Sequence, residues 1–465
     1  MAKEELARLT IREAADKIRT REITSIDLTE AVLRRITHVD RKVKSYVTVM
    51  REQAEKDAAK ADELIRRGEW LGPLHGVPFG LKDLYNTAGT RTTSSSKVRA
   101  KYIPREDAGV TERLRAAGAV IVGKLVTHEF AYGVMSPPTC NPWDLTRIPG
   151  GSSGGSGAAI AADLCIGATG SDTGGSIRIP SSLCGIAGIK PTYGRVSKRG
   201  VAVLSWTLDH TGPMCKTVED TALALNYMAG FDPRDQTTAD VPVPDYTNGL
   251  TLGVHGLKIG VPRNYFFNHV DPDVEEAVRD GIKLLKKQGA EIREVTIPYV
   301  EHSSIVMFTI VIAEATSYHE ETLKTKAAEY QEDVRTFLEL GELYLAKHYL
   351  RALKVRKLIH DAFLNALESV DALVTPTTPA TAAKQGQKTY KYGKYEEPVI
   401  MSCVRFTSPF NCSGLPAMSI PCGFTSSKLP AGIQIIGKPF DEETVFRVAA
   451  AYEANTDWHM KTPPV

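Results

Sequence analysis

Two stretches almost bare of side chains constrain this chain more than anything else in it: Gly150-Gly151-Ser152-Ser153-Gly154-Gly155-Ser156-Gly157 and Gly170-Ser171-Asp172-Thr173-Gly174-Gly175-Ser176. Glycine weakens a regular element, but it lets a backbone turn tightly and come close to other groups. Between the two runs, Ala158 to Ala162 favour a helix, and the apolar run through Cys165 and Ile166 could be a strand. Two loops of exposed backbone thus flank one helix and one strand.

Around this centre the texture is that of an α/β protein. From Leu74 onward, short apolar runs broken by Gly and Pro alternate with helical stretches, as strands joined by crossovers do. Thr111 to Ala117, Gly118 and Ala119 to Val122 read as helix, stop and strand; Asp273 to Gln288, Gly289 and Glu291 to Ile297 repeat the pattern. Near the end, Ile433 to Ile436 precede a helix from about Glu442. Thr217 with Asp220 three residues on looks like a capping box for the helix carrying Ala222 to Met228. Before this region, Lys3 to Arg67 are helical in pattern, with Leu6, Leu9, Ile11, Ala14, Ala15 and Ile18 at helical spacing. The expected organisation is an N-terminal helical layer over residues 1–70 and an α/β domain over 71–465, packed together. The irregular stretch Thr375 to Tyr392 reads as a surface loop.

Bulk properties exclude several functions. Lys and Arg total 57 against 55 Asp and Glu, and no stretch concentrates basic with aromatic residues, so nucleic acid is not expected as a direct partner. No run of about eighteen apolar residues suggests a membrane span, and the first twenty residues lack the apolar centre of a signal peptide. The seven cysteines are scattered without C-x-x-C spacing, which fits reduced thiols in the cytoplasm and argues against a zinc site.

The first Gly run matches neither the phosphate-binding pattern G-x-x-x-x-G-K-[ST] nor G-x-G-x-x-G after a strand. It matches G-x-S-x-G literally, with Ser152 or Ser153 at the centre, but Ser136 to Pro149 contains four prolines and cannot be the strand a nucleophile elbow needs. A plain turn remains as the other reading. The second run adds chemistry. Thr173, Gly174, Gly175 and Ser176 can turn several backbone N–H groups toward one point, which suits a developing oxyanion, with a serine at hand to attack. A serine hydroxyl needs a base. His75 and His128 lie nearest in sequence but read as structural hydrogen-bonders. Lys82, ending the apolar run Gly76 to Leu81, could lose its proton readily if presented from a buried strand into a dry site, but its position alone favours an exposed charge at a strand end.

Here the residues resemble a known family, the amidase signature hydrolases. The resemblance is carried by Gly76-Val77-Pro78-Phe79-Gly80-Leu81-Lys82-Asp83, by Pro149 to Ser156, by Gly170 to Arg178 and by Gly188-Ile189-Lys190-Pro191-Thr192-Tyr193-Gly194-Arg195-Val196-Ser197. It spans roughly Leu71 to Asn455. It implies one large mixed sheet of about eleven strands with helices on both faces. It implies Ser176 as nucleophile, Ser152 as bridging serine after a cis peptide at Gly151, and Lys82 as base, with an acyl-enzyme intermediate. It implies oxyanion donors from Thr173 to Ser176 and a supporting shell of Ser153, Ser171 and Asp172, with Arg178 holding the loop after the nucleophile. No cofactor or metal is implied. The expected partner is a small-molecule amide, and a homodimer is left open.

One branch of the family comprises the glutamine-hydrolysing chains of tRNA-dependent amidotransferases. Arg356 matches a position facing the glutamine carboxylate there, but the Asp-x-Phe-Thr segment for the substrate ammonium reads Val404-Arg405-Phe406-Thr407 here. By family analogy the pocket lies between Tyr132 to Pro138 and Thr378 to Phe406, with Tyr132, Gly133, Met135, Arg356 and Phe406 as candidate substrate contacts. These residues fit an apolar acyl or aryl substituent. The competing expectations are a glutamine-hydrolysing amidotransferase component and a Ser–His–Asp esterase.

Overall fold

Short aliphatic and glycine-rich strands, each stopped by Gly, Pro or a helix cap, build the framework. The structure, a computed structural model, describes residues 5–465, so the start of the expected helical segment at Lys3 lies outside the described residues. Its strands are β1 (Tyr46–Val49), β2 (Pro78–Lys82), β3 (Val120–Leu125), β4 (Gly167–Asp172), β5 (Ala187–Lys190), β6 (His210–Cys215) and β7 (Lys258–Pro262). They continue with β8 (Glu291–Val295), β9 (Ala372–Pro376), β10 (Thr389–Tyr392), β11 (Tyr395–Pro398), β12 (Ala417–Phe424) and β13 (Pro430–Ile436). Eleven of them form one mixed sheet in the order β1-β3-β2-β4-β6-β5-β12-β13-β9-β7-β8, flanked by helices, while β10 and β11 make a separate hairpin. No helix among the described residues is long and apolar enough to cross a membrane.

The topology decides where the Gly runs go. β2 pairs parallel with β3 and with β4, so Lys82 at the end of β2 is delivered beside the end of β4. The Lys82 N–H there donates to Thr169 Oγ1 at 3.0 Å. Glycine in β4 is a packing requirement: a Cβ at Gly167 would lie 2.3 Å from the Phe79 ring. The helix Gly154–Ala161, buried throughout, packs on β2 and β4 and against the helix Arg178–Cys184, which in turn lies across β12 and β13.

Several expectations are corrected. The strand between the Gly runs begins at Gly167, after the apolar Cys165 and Ile166, and takes in Gly170, Ser171 and Asp172, so the second run is half strand. The N-terminal segment is interrupted by β1, whose Tyr46, Val47, Thr48 and Val49 favour a strand. Thr375 to Tyr392 is not one surface loop. Thr375 and Pro376 end the buried β9, Thr377, Thr378, Ala380, Ala382 and Ala383 are buried, and the chain surfaces from Lys384, just ahead of the β10–β11 hairpin. Thr217 does cap its helix, accepting from Asp220 N at 3.1 Å, but the reciprocal half of the box is absent. Asp220 instead accepts from Arg12 N at 3.2 Å, tying the N-terminal helices to the domain.

Candidate active site

Lys82 is fully buried, and its Nζ donates to three hydroxyls: Ser152 Oγ at 2.8 Å, Ser153 Oγ at 2.8 Å and Ser171 Oγ at 2.9 Å. Burial drives its pKa well below the ordinary lysine value, and the charges of Asp172 and Asp209 only partly oppose this. Two other buried lysines make the contrast plain. Lys190 donates to the carbonyls of Pro191 and Leu415, whereas Lys124 donates to Tyr85 O and to the hydroxyls of Thr87 and Thr92 but has the Asp83 carboxylate 3.7 Å away. A carbonyl cannot pass a proton on, whereas a hydroxyl both donates and accepts.

The serines are locked from behind. The peptide between Gly151 and Ser152 is cis. Ser152 O accepts from His128 N at 3.0 Å and Ser136 Oγ at 2.9 Å. Ser153 N donates to Ser176 O at 3.2 Å, joining the two Gly runs directly. Ser176, 7% exposed, opens onto an apolar cleft.

Asp172 and Arg178 hold the second run in shape. Both are fully buried. Asp172 accepts from Gly175 N (2.9 Å) and Ile177 N (3.1 Å), and from Arg178 Nε (3.0 Å) and Nη2 (2.9 Å). Burial alone would raise its carboxyl pKa, yet the Arg178 charge and hydrogen bonds carry it well below the usual range. The remaining guanidinium hydrogens go to Thr407 O, Gln434 Oε1 and Asn411 Oδ1. An arginine has five N–H donors, so this one is saturated by protein and holds the loop, as its sequence context suggested. Thr407 closes the lock by donating Oγ1 to Gly174 O at 2.6 Å. The Gly175 N–H, expected to face an oxyanion, instead donates to Asp172 at 2.9 Å.

The cleft beside Ser176 has a cavity volume of about 40 Å³ and is lined by Tyr132, Gly133, Thr173 and Gly174 together with the apolar Met307, Phe308, Val311, Ile400 and Val404. Gly133 is required, because a Cβ there would stand 2.4 Å from His128 Nε2. Three expected contacts lie elsewhere. The Met135 N–H bonds His128 Nδ1, and Met135 does not line the cleft. Phe406 is buried against Tyr265 and Phe266: Ile400 and Val404, four apart on the helix Val399–Arg405, share the cleft-facing side, and Phe406 falls beyond it. Arg356 donates to Cys412 O at 2.9 Å and Thr207 O at 3.0 Å, clamping its helix to the helix Ser408–Ser413 and to the turn at Thr207.

Met307, Phe308 and Val311 were missed in the sequence; the apolar run inside the helix Ser303–Lys326 was the available signal. Asn411, Gln434 and Thr407 were missed as partners of Arg178. Gln434 stood out only as a lone amide within the apolar run Ile433 to Ile436. The histidines are engaged elsewhere: His75 with Ala61 O and Leu71 N, His128 with Met135 N, Ser136 N and Asp333.

Comparison with known proteins agrees with this geometry. A family model described as Amidase matches residues 27–446. An amidase of Pseudomonas putida is 46% identical over 460 residues, covering 98% of each chain. The glutamyl-tRNA(Gln) amidotransferase of Carboxydothermus hydrogenoformans contributes a chain, the first of its lettered components, that is 45% identical over 489 aligned positions, 99% of each chain. Among solved structures, the native peptide amidase from Stenotrophomonas maltophilia has a TM-score of 0.87 at 28% identity over 99% of both chains. Fold, site and relatives together define an amide-hydrolysing α/β enzyme. The chain belongs to the amidase family, the amidase signature enzymes.

Proposed function

We propose that the protein hydrolyses a carboxylic amide with an apolar acyl or aryl substituent through an acyl-enzyme on Ser176. The observation that carries this reading is the buried Lys82 amine bonded to three hydroxyls and, among the described residues, to no carboxylate. Neutral Lys82 takes the proton of Ser152, whose oxygen takes that of Ser176 as Ser176 Oγ attacks the carbonyl carbon. The oxyanion is received by the amides of Thr173, Gly174 and Ser176. The chain of protons then runs back: Lys82 returns its proton through Ser152 to the departing nitrogen, so the C–N bond breaks to a neutral amine or ammonia. Water repeats the sequence on the ester and regenerates Ser176.

The resemblance to the glutamyl-tRNA(Gln) amidotransferase chains, 45% identity in one case, supports a second reading, glutamine hydrolysis. The cleft favours the first. Val404 is an apolar wall of the cleft, with no carboxylate for an ammonium, and the Arg356 guanidinium is spent on Cys412 and Thr207. A Ser–His–Asp esterase has no support in the histidine contacts.

The test is a panel of amides, anilides, esters, carbamates and glutamine on the purified protein, with Lys82→Ala, Ser152→Ala and Ser176→Ala. Ser176→Ala and Lys82→Ala should each cost at least about 10³-fold in kcat, as removal of a nucleophile or base does in acyl-transfer enzymes. Mass spectrometry should find the acyl group on Ser176. Undiminished turnover in Ser176→Ala would refute the mechanism, and glutamine as the best substrate would favour the second reading.

A further inference from the structure

The segment from His128 to Ser136 runs between the cleft and the first Gly run, and one side chain at its start holds it together. Phe130, Ala131 and Ser136 have φ of 49°, 64° and 53°, a conformation uncommon for residues with side chains. Such backbone persists only where neighbouring contacts impose it. The buried ring of His128 supplies them: Nδ1 accepts from Met135 N at 3.3 Å and from Ser136 N at 3.2 Å.

What His128 holds reaches the bridging serine. Ser136 fits into the first Gly run, where a Cβ at Gly151 would lie 2.7 Å from its Oγ and one at Gly154 would lie 2.5 Å from its Cβ. From there Ser136 Oγ donates to Ser152 O at 2.9 Å and accepts from Gly154 N at 3.2 Å. The backbone N–H of His128 donates to the same Ser152 carbonyl at 3.0 Å. One histidine thus fixes that carbonyl twice, once directly and once through Ser136. Its other ring nitrogen, Nε2, lies 3.1 Å from Asp333 Oδ2 on the helix Glu332–Gly341, whose Phe337 stacks on the cleft residue Tyr132.

These contacts assign the hydrogens. A ring nitrogen that accepts two N–H groups carries no hydrogen, so the proton of the neutral ring is on Nε2 and points at Asp333. A second proton goes to Nδ1, where it meets two donors and leaves both without an acceptor. Two carboxylates act on the ring and favour that second proton: Asp333 across from it and Glu129 beside it in the chain. The Gly run beneath Ser136 carries no ionisable side chain.

We propose that His128 is a positioning residue for Ser152 and a proton-sensitive latch on it. With Nδ1 bare, the segment is closed and Ser152 is aligned between Lys82 and Ser176; with Nδ1 protonated from solvent, Met135 and Ser136 are released and the alignment is lost. This rests on the relay reading above, in which Ser152 passes a proton. Turnover then requires two unprotonated groups, Lys82 for its chemistry and His128 for its geometry.

The experiment is the pH dependence of kcat/KM for one chromogenic anilide with the full-length enzyme and three variants. In the parent, log kcat/KM should fall at the acid end with a slope approaching two. His128→Phe, a ring without the acceptor, should lower kcat by about tenfold to a hundredfold at every pH and change KM less. His128→Asn offers an amide oxygen to the same two N–H groups and cannot be protonated there, so it should recover most of that loss and reduce the slope to one. Asp333→Asn, at a half-exposed position, removes a charge that favours the protonated ring and should move the acid limb down by about half a pH unit. The charges acting on Lys82 are those of Asp172 and Asp209, so that movement belongs to His128. A slope of one in the parent, an acid limb unmoved by Asp333→Asn, or parental kcat in His128→Phe overturns the proposal, and Asp333→Asn decides it if the His128 variants do not fold. Mass spectrometry of Ser176 in the same samples separates this from the relay reading. An acyl group on Ser176 without the pH effects sinks the latch alone, whereas its absence with full turnover in Ser152→Ala sinks the relay and the latch with it.

Discussion

Gly175→Ala tests the link between a local steric fact and catalysis. Gly175 has φ +133°, a conformation that L side chains rarely adopt. A methyl there would lie 2.1 Å from Thr407 Oγ1 and 2.6 Å from Thr407 Cβ. The first contact is roughly 1.4 Å short of an ordinary separation of about 3.5 Å. Thr407 has little room to yield, because it is fully buried, donates to Gly174 O and accepts from Arg178. The backbone of the nest must therefore shift by about 1 Å, beyond what a hydrogen bond to an oxyanion tolerates. Loss of one such donor costs about 10² to 10³ in kcat. Stability falls by about 2–4 kcal/mol, from backbone strain of about 1–3 kcal/mol and a lost hydrogen bond of about 0.5–1.5 kcal/mol. Steady-state kinetics on an anilide and thermal unfolding measure both. Gly68→Ala is the control, since Gly68 has φ +80° but nothing within 4 Å of an added Cβ. It should lose about 1–2 kcal/mol and no activity. If Gly175→Ala kept kcat within about threefold of the parent, the assignment of the nest would be wrong.

Other outcomes follow from the buried charges. In the proposed mechanism Lys82 acts as a neutral base, so kcat/KM should rise with pH through its lowered pKa and level off above; Asp209→Asn, removing a charge that raises that pKa, should move the acid limb to lower pH. A pH profile unmoved by Asp209→Asn would contradict the electrostatic account. Arg178→Met leaves Asp172 as a buried unpaired carboxylate and should cost about 3–5 kcal/mol in urea unfolding, largely recovered when Asp172→Asn is added. Burial pushes the Asp220 carboxyl up to about 7 and that of Glu453 up to about 8. The folded state then keeps protons that the unfolded chain releases near pH 4, so these groups lower stability as pH rises from about 4 to about 8. Glu453→Gln should flatten that slope in unfolding curves recorded across pH, and an unchanged slope would show that Glu453 titrates normally.

The parts of the site read most directly from sequence were those whose chemistry is local. A lysine closing the apolar run Gly76 to Leu81 is presented by a strand, and a Gly-Gly-Ser turn is recognisable without knowing its neighbours. Direction was harder to read than position. Phe406 and Arg356 stand in the right segments, but helical phase turns Phe406 into the core, and Arg356 is consumed by two carbonyls. Long-range partners were hidden for another reason: Asn411 and Gln434 accept from Arg178 while their amide groups donate to Asp172 and to Thr375 and Phe406, and nothing near them in sequence demands such partners. Thr375 to Ala383 misled because polar, Pro-rich composition resembles a loop, whereas threonine is buried readily when its hydroxyl is paired, as Thr377 is with Ser419 at 2.9 Å.

The wiring of Arg178 bears on biosynthesis. Lys82, Ser152 and Ser176 all leave the ribosome early, yet the guanidinium that shapes the loop around Ser176 is completed only by Gln434, 256 positions downstream. A polypeptide released at two thirds of its length would carry all three residues of the proposed relay and still lack the Gln434 end of that brace.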